Sequence, residues 1–377
     1  MMQLPMIIKT ATTLAIVFTT TLLGAIDVNA RTDRQLSIRQ NGNLAQNAQK
    51  QAEDLLIAGN QKFQRKDYDG AIADYSRSLQ INPNYDKALF NRGIAYGITG
   101  NKQGAIDDYT QVIKLNPQSA NSYFNRSVVK SNLGDKQGAL SDLNRVLQID
   151  PQATDAYLNR GNLLQDTGDF EAATADFSRA IKLKPNRADA YLNRGITKFK
   201  SGDRQGAIAD YDLAIKNDPN YHLAYNNRAL SKADLGDTQG AITDFNRAIQ
   251  IEPKYYLSYY NRANLRRKAN DNSGAIVDYS KTIQLNPTYA AAYNNRGLAQ
   301  KKLKDYSAAI LDFNKTLELT PDFAEAYYNR GAARQALKDR SGAVSDLKTA
   351  AQLYQQQGSG RESKKALELV TQVQNQQ

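Results

Sequence analysis

The sequence predicts an all-α solenoid of nine 34-residue helix-turn-helix repeats with a C-terminal capping helix. Three observations carry this. Eight of the nine prolines (Pro83, Pro117, Pro151, Pro185, Pro219, Pro253, Pro287 and Pro321) are spaced 34 residues apart, and only Pro5 lies outside the series. Residues 188–221 and 222–255 spell nearly the same block twice, and residues 324–357 extend the series with Gln355 in the proline slot. Within the 34-residue frame, the twentieth column is Ala in all nine units, from Ala71 to Ala343. Self-similarity at such a period signals a stacked repeat architecture.

In chain order, residues 1–30 read as a leader outside the fold. Lys9 gives a positive start, residues 10–25 are a short apolar, Thr-rich stretch, and Val28-Asn29-Ala30 fits a small-x-small cleavage site. The expectation is a bacterial export signal cut after Ala30. The alternative is a membrane anchor through the same segment, against which its shortness argues. Residues 31–51 are Asn/Gln-rich and low in apolar content, and read as a flexible linker. The repeats follow at 52–85, 86–119, 120–153, 154–187, 188–221, 222–255, 256–289, 290–323 and 324–357, and residues 358–377 form the capping helix and tail.

Each repeat reads as a helix pair. In the fifth, 189–200 forms a first helix with Tyr191, Gly195 and Lys198 on one face. Ser201-Gly202-Asp203 breaks it, because Gly suits a left-handed helix end and Asp a helix start. Residues 205–216 form a second helix with Ala207, Ile208, Tyr211, Ala214 and Ile215 inward, stopped by Pro219. The eighth column is small throughout and the twenty-fourth is Tyr, Phe or Leu, so the helices approach closely beside a filling ring. One hairpin cannot bury its apolar face alone, so stability comes from neighbours. Past Gly358-Ser359-Gly360, residues 361–373 carry Leu367, Val370 and Val373 on one stripe, a cap for the stack.

Period, small columns, aromatic and proline together resemble the tetratricopeptide repeat family over residues 52–357. The resemblance implies a right-handed superhelix with a concave groove lined by the first helices. The departures are Tyr for the family's Trp in the fourth column, Arg for Leu in the seventh, and mostly Lys or Arg for Tyr in the eleventh.

Two charged columns run in register. The twenty-third is Asp in every repeat, from Asp74 to Asp346. The seventh is Arg in repeats two to nine (Arg92, Arg126, Arg160, Arg194, Arg228, Arg262, Arg296, Arg330), with Ala58 in the first and Lys364 at the matching place in the cap. Arg is missing only where no preceding repeat exists. The expectation is that the Asp of one repeat pairs with the Arg of the next, one bridge per interface.

The sixth column is Asn in repeats two to nine: Asn91, Asn125, Asn159, Asn193, Asn227, Asn261, Asn295 and Asn329. Asn is a mediocre helix former, so eight at one helical position call for a reason. A carboxamide takes a backbone N–H and C=O together. The column resembles the asparagine ladders of family members that hold extended polypeptides. Arg267, Lys268, Lys301 and Lys302 add cations to the groove face of the late repeats, which favours acidic segments there. Column six is never basic, which argues against the family's other mode, capture of a C-terminal carboxylate.

The formal charge is +11, with the eleventh-column cations expected to lay their stems along the core and raise their heads to water. With no Cys and only His222, the chain offers no thiol nucleophile, thiolate metal site or histidine pair. No catalysis, cofactor, metal or small-molecule substrate is expected. The reading is an exported, periplasmic or extracellular monomer: an interaction scaffold binding a protein or extended peptide through the Asn ladder. The alternative is a structural component or assembly factor of a bacterial envelope or photosynthetic complex that binds through its outer face. A third reading, an RNA-binding helical repeat, is weakened by the leader and by the lack of a variable code.

Overall fold

The computed structural model describes residues 23–375 and contains nineteen helices and no strand among them. The chain forms two compact units that meet in sequence at Ile149 and Asp150. The expected leader lies largely in residues 1–22, outside the described part.

The first unit pairs α1 (Leu23–Gln64) with α2 (Tyr68–Ile81), α3 (Asp86–Thr99) with α4 (Lys102–Leu115), and α5 (Ala120–Asn132) with α6 (Lys136–Ile149). The second pairs α7 (Thr154–Thr167) with α8 (Phe170–Leu183), α9 (Ala188–Ser201) with α10 (Arg204–Asn217), and α11 (His222–Asp234) with α12 (Thr238–Ile251). It continues with α13 (Tyr256–Lys268) on α14 (Asn272–Leu285), α15 (Ala290–Lys302) on α16 (Tyr306–Leu319), and α17 (Ala324–Ala336) on α18 (Arg340–Gln356), closed by α19 (Gly360–Asn375). Within each unit, a second helix also packs on the first helix of the following repeat.

Residues 31–51, expected as a flexible linker, are helical and continue into the first repeat as part of α1. Thirteen of its 21 residues are Gln, Arg, Ala, Leu or Lys, all good helix formers, and it contains no proline. A helix already nucleated by packing at 52–64 propagates into it at low cost.

Helix ends follow the turn chemistry. In the fifth repeat Gly202 sits at φ 99°, and the Asp203 carboxylate accepts the Gly206 N–H at 2.8 Å. Asp218, ahead of Pro219, is extended and closes α10. Gln355 replaces proline in the ninth repeat, and α18 runs to 17 residues where the second helices before it have 14. In the cap, Ala366, Val370 and Val373 are buried, while Leu367, expected on the inner stripe, is 50% exposed.

The twentieth-column Ala residues are fully buried in all nine repeats. A Cβ built on Gly195 would stand 2.5 Å from the Tyr211 ring, and one on Gly161 would stand 2.8 Å from Phe177. The small column is therefore where a ring of the second helix meets the first helix's backbone. The inner stripe of the first helices needs correcting. From the second repeat onward the third and tenth columns are buried too, as Ala190 and Thr197 show, whereas Asp54 and Gln61 of the first repeat are exposed. These columns face the preceding hairpin, which the first repeat lacks.

The charged columns pair differently from the expectation. Each Arg joins the Asp of its own repeat, sixteen residues later, through two parallel bonds: Nε to Oδ2 at 2.7–2.9 Å and Nη2 to Oδ1 at 2.6–2.7 Å. Asp176 thus belongs to Arg160 and Asp210 to Arg194. The reason is antiparallel hairpin geometry, which sets the middle of the first helix against the middle of its own second helix. What crosses the interface is the remaining donor. Nη1 reaches the twenty-fifth column of the preceding repeat: Ser76, Thr110, Ser178, Asp212, Asn246, Ser280 and Asn314 accept from Arg92, Arg126, Arg194, Arg228, Arg262, Arg296 and Arg330 at 2.5–3.1 Å. This accounts for the absence of Arg in the first repeat. Lys364 of the cap is exposed and does not continue the column.

The eleventh-column cations do not end in water. Lys62, Lys130, Lys198, Lys232, Arg266 and Arg334 each reach the second carboxylate oxygen of the same buried Asp at 2.8–2.9 Å. The guanidinium also lies over the fourth-column Tyr, as in Arg126 on Tyr123 and Arg330 on Tyr327, at 5.5 and 5.3 Å. In the second repeat that column holds Leu89, and Arg92 lies over Tyr96 instead, at 5.6 Å. The planar partner offsets the lost hydration of the buried carboxylate, alone at Asp108, Asp176 and Asp312 and with a second cation at Asp142, Asp210, Asp244, Asp278 and Asp346.

Candidate functional site

The Asn column lies on the face of the first helices that also carries the fifth, ninth and twelfth columns. In the first unit, Asn60, Phe63, Gln64, Tyr75, Asn91 and Ile94 line one cavity of about 210 Å³. A second, of about 340 Å³, is bordered by Asn91 together with Leu56, Phe90 and Val112. Amides edge both, and the second also has Asp86, Lys87 and Ser119 in its lining. In the second unit, Tyr328, Asn329, Tyr354 and Lys365 contribute to a cavity of about 240 Å³ beside the cap.

The eight Asn side chains are not equivalent. The Asn91 amide donates to Asn60 Oδ1 at 2.8 Å, and that oxygen also accepts the Tyr75 hydroxyl at 2.8 Å. The arrangement recurs in the second unit, where Asn264 Oδ1 accepts from Asn295 at 3.0 Å and from Tyr279 at 2.6 Å. Asn295 also donates to the Tyr260 hydroxyl. Asn261 donates to Asn226 Oδ1 at 3.2 Å, Asn227 to the Leu223 carbonyl at 2.8 Å, and Asn329 accepts from Lys301 at 2.6 Å. Asn125 pairs with the Tyr109 hydroxyl. Asn159 and Asn193 make no side-chain hydrogen bond among the described residues. Much of the ladder therefore ties one repeat to the one before it. The signal for this is in the sequence: an Asn in the ninth column followed by a Tyr in the twenty-fourth, as at Asn60 and Tyr75 and again at Asn264 and Tyr279. Asn162 is followed by Phe177, which has no hydroxyl to share.

Burial holds the ring hydroxyls of this face neutral: it pushes Tyr75, Tyr109 and Tyr279 up to about 12. A chain of ring contacts runs beside them, with Tyr256 and Tyr260 each edge-on to Tyr289 at 5.2 and 5.0 Å. The lone histidine is spent in the same way, edge-on to Tyr255 at 5.0 Å.

The late cations separate into two groups. Arg267, Lys301 and Lys302 line one cavity of about 480 Å³ with Asn270, Asn272, Leu298, Tyr306 and Lys304, a cation outside the sequence-based set. Lys268 is exposed and does not line it. Burial holds the Lys301 ammonium below its ordinary range, partly offset by Glu325. Among the described residues, no three or more His, Asp or Glu side chains converge as a metal site would require, and no helix is long and apolar enough to cross a membrane.

Family models described as tetratricopeptide repeat match residues 131–192, residues 86–119 and 290–323, and residues 192–256. One described as TPR repeat matches residues 59–100 and 263–304. No curated protein matches the sequence. Among solved structures, the chain is similar to a tetratricopeptide repeat protein from Parabacteroides merdae, at 19% identity over 67% of this chain and 99% of that one, with a TM-score of 0.55. It is also similar to the C-terminal part of a TPR repeat-containing protein from Cytophaga hutchinsonii, at 16% identity over 64% and 98%, with a TM-score of 0.53. A third is the APC/C hetero-tetramer Cut9–Hcn1, at 18% identity over 79% and 59%, with a TM-score of 0.51. At such identities the likeness concerns the fold. Period, helix pairs and matched models agree, and the chain belongs to the tetratricopeptide repeat family.

Proposed function

We propose that the chain is a protein-interaction scaffold that holds an extended polypeptide along the face bearing the Asn column. The observation that carries this is the recurrence of cavities on that face, each edged by a sixth-column amide: Asn91 in the first unit and Asn329 in the second. Asn159 and Asn193 are the carboxamides best placed to take backbone groups of a guest, since neither is spent internally among the described residues. The cations Arg267, Lys268, Lys301 and Lys302 bias the late repeats toward an acidic guest. The leader-like residues 1–30 support export to the periplasm or beyond, and the chain acts as a monomer in this reading.

The test is capture of partners from a periplasmic extract by the wild-type chain and by Asn159→Ala/Asn193→Ala, after both show equal helicity by circular dichroism. Loss of a partner from the variant is expected. A partner retained at full strength sinks the Asn-column reading. It would then favour the outer face, where Val277 and Leu311 occupy the same column of consecutive repeats and are 66% and 70% exposed.

A further inference from the structure

The cavity shared by the seventh and eighth repeats is unlike the others on this face. Its charged lining is cationic throughout: Arg267, Lys301, Lys302 and Lys304, with no carboxylate among the lining residues. Elsewhere in the repeats many cations are held by carboxylates, while others, such as Arg247 and Lys281, donate to a neutral Gln side chain. The eleventh-column heads close on a buried Asp, and even exposed Lys315 pairs with Glu318 at 2.5 Å. Here Lys301 has only a neutral acceptor, Asn329 Oδ1. The Arg267 Nε–H is buried with no acceptor. A buried donor without a partner is costly, and the rest of this guanidinium lies against the Tyr279 hydroxyl.

Lys304 adds a backbone observation. It occupies the fifteenth column, which is Gly in repeats two to six and left-handed there, as at Gly202. Lys304 keeps that conformation at φ 64°, as do Lys66, Asn270 and Lys338 in the same column of repeats one, seven and nine. A non-glycine residue in this region is strained. Glycine would satisfy the turn with less strain. Lysine there brings a further positive charge to the cavity rim.

We infer that this cavity binds a phosphate dianion, as inorganic phosphate or as a phosphomonoester carried by a larger ligand. Charge and acceptor count select it. One carboxylate brings a single charge and two oxygens to four cations, whereas a phosphomonoester brings up to two charges and three strong acceptor oxygens. A cavity of about 480 Å³ has room for the group and part of what carries it. The inference stands apart from the Asn-column reading, because inorganic phosphate needs no extended chain, and either can fail alone.

The test is isothermal titration calorimetry of the full chain at low salt with inorganic phosphate, phosphoserine and succinate in turn. Saturable one-site binding of phosphate or phosphoserine is expected, at least about tenfold tighter than succinate. Preference for inorganic phosphate identifies the free ion as the source, and preference for phosphoserine a carried group. The variant Lys302→Gln/Lys304→Gly should lose about tenfold or more in affinity while keeping its melting temperature, since both side chains are exposed and glycine relieves the turn. Phosphoserine affinity should also drop between pH 7 and pH 5, where the group passes through its second pKa of about 6. Absence of saturable phosphate binding, succinate binding as tight as phosphate, an unaffected variant, or affinity that holds at pH 5 each overturns the inference.

Discussion

The Asp–Arg column and the Asn column run through the same helices with the same period, yet they behave as opposites. Each described Arg meets its Asp sixteen residues on with the same two bonds, whatever its neighbours are. The Asn side chains differ: Asn91 finds an Asn oxygen of the preceding repeat, Asn329 a Lys ammonium of the preceding repeat, and Asn227 a backbone carbonyl of its own helix. A column whose partner lies in its own hairpin is fixed by the hairpin. A column whose partners lie next door varies with the neighbour, and where the neighbour offers nothing the amide is left for a guest. Uniform residues are therefore no guide to uniform roles.

The sharpest way to break this comparison is at the buried carboxylate. Asp210→Ala strands Arg194 and Lys198 and should cost about 3–5 kcal/mol in chemical denaturation. A double-mutant cycle should find strong coupling between Arg194 and Asp210, and additivity to within about 0.5 kcal/mol between Arg194 and Asp176. Coupling of Arg194 to Asp176 instead would restore the bridge between repeats.

Smaller effects separate the Asn residues from one another. Asn295→Ala removes two bonds to the preceding repeat and should cost about 1–2 kcal/mol by the same measurement. Asn193→Ala should be neutral or stabilising by a few tenths of a kcal/mol, because Ala is the better helix former. Equal costs at both positions would erase the distinction drawn here.

The first repeat sharpens the charged column by lacking its Arg. Burial raises the Asp74 carboxyl, but hydrogen bonds and charge from Lys62 and Arg77 outweigh it, and the group sits below its ordinary value. A depressed carboxyl contributes stability that is present above the unfolded pKa of about 3.9 and is lost as pH falls through the folded value. Lys62→Gln should therefore move acid unfolding of the first repeat to higher pH. Hydrogen exchange of α2 against pH reads this out, and no movement would mean that Arg77 alone holds the charge.

The sequence made the architecture legible because proline, small and aromatic columns each have one local meaning at their spacing. It did not show which Asp an Arg takes. With a 34-residue period, Arg194 stands sixteen residues before one Asp and eighteen after another, and periodicity cannot choose between Asp210 and Asp176. Only the antiparallel packing of α9 on α10 does. The Asn partners were only partly legible, in the Asn–Tyr pairs at Asn60 and Tyr75 and at Asn264 and Tyr279, since others come from the fifth, twelfth and twenty-fourth columns of the preceding repeat. Lys304 did not stand out in its column, which also holds Lys66 and Lys338, and only the structure shows the cavity that it borders.

The bidentate bond closing within each hairpin has a consequence for how such a chain can change length. In the described Arg-bearing repeats the buried negative charge is neutralised at home, and the preceding unit is asked only for one hydrogen-bond acceptor. Insertion or deletion of a whole 34-residue segment therefore strands no buried charge at the new junction. Had the carboxylate depended on the next unit, every array would end on an orphan, and each duplication would require a matching end to be rebuilt. Self-neutral hairpins can be copied, lost or recombined as interchangeable parts.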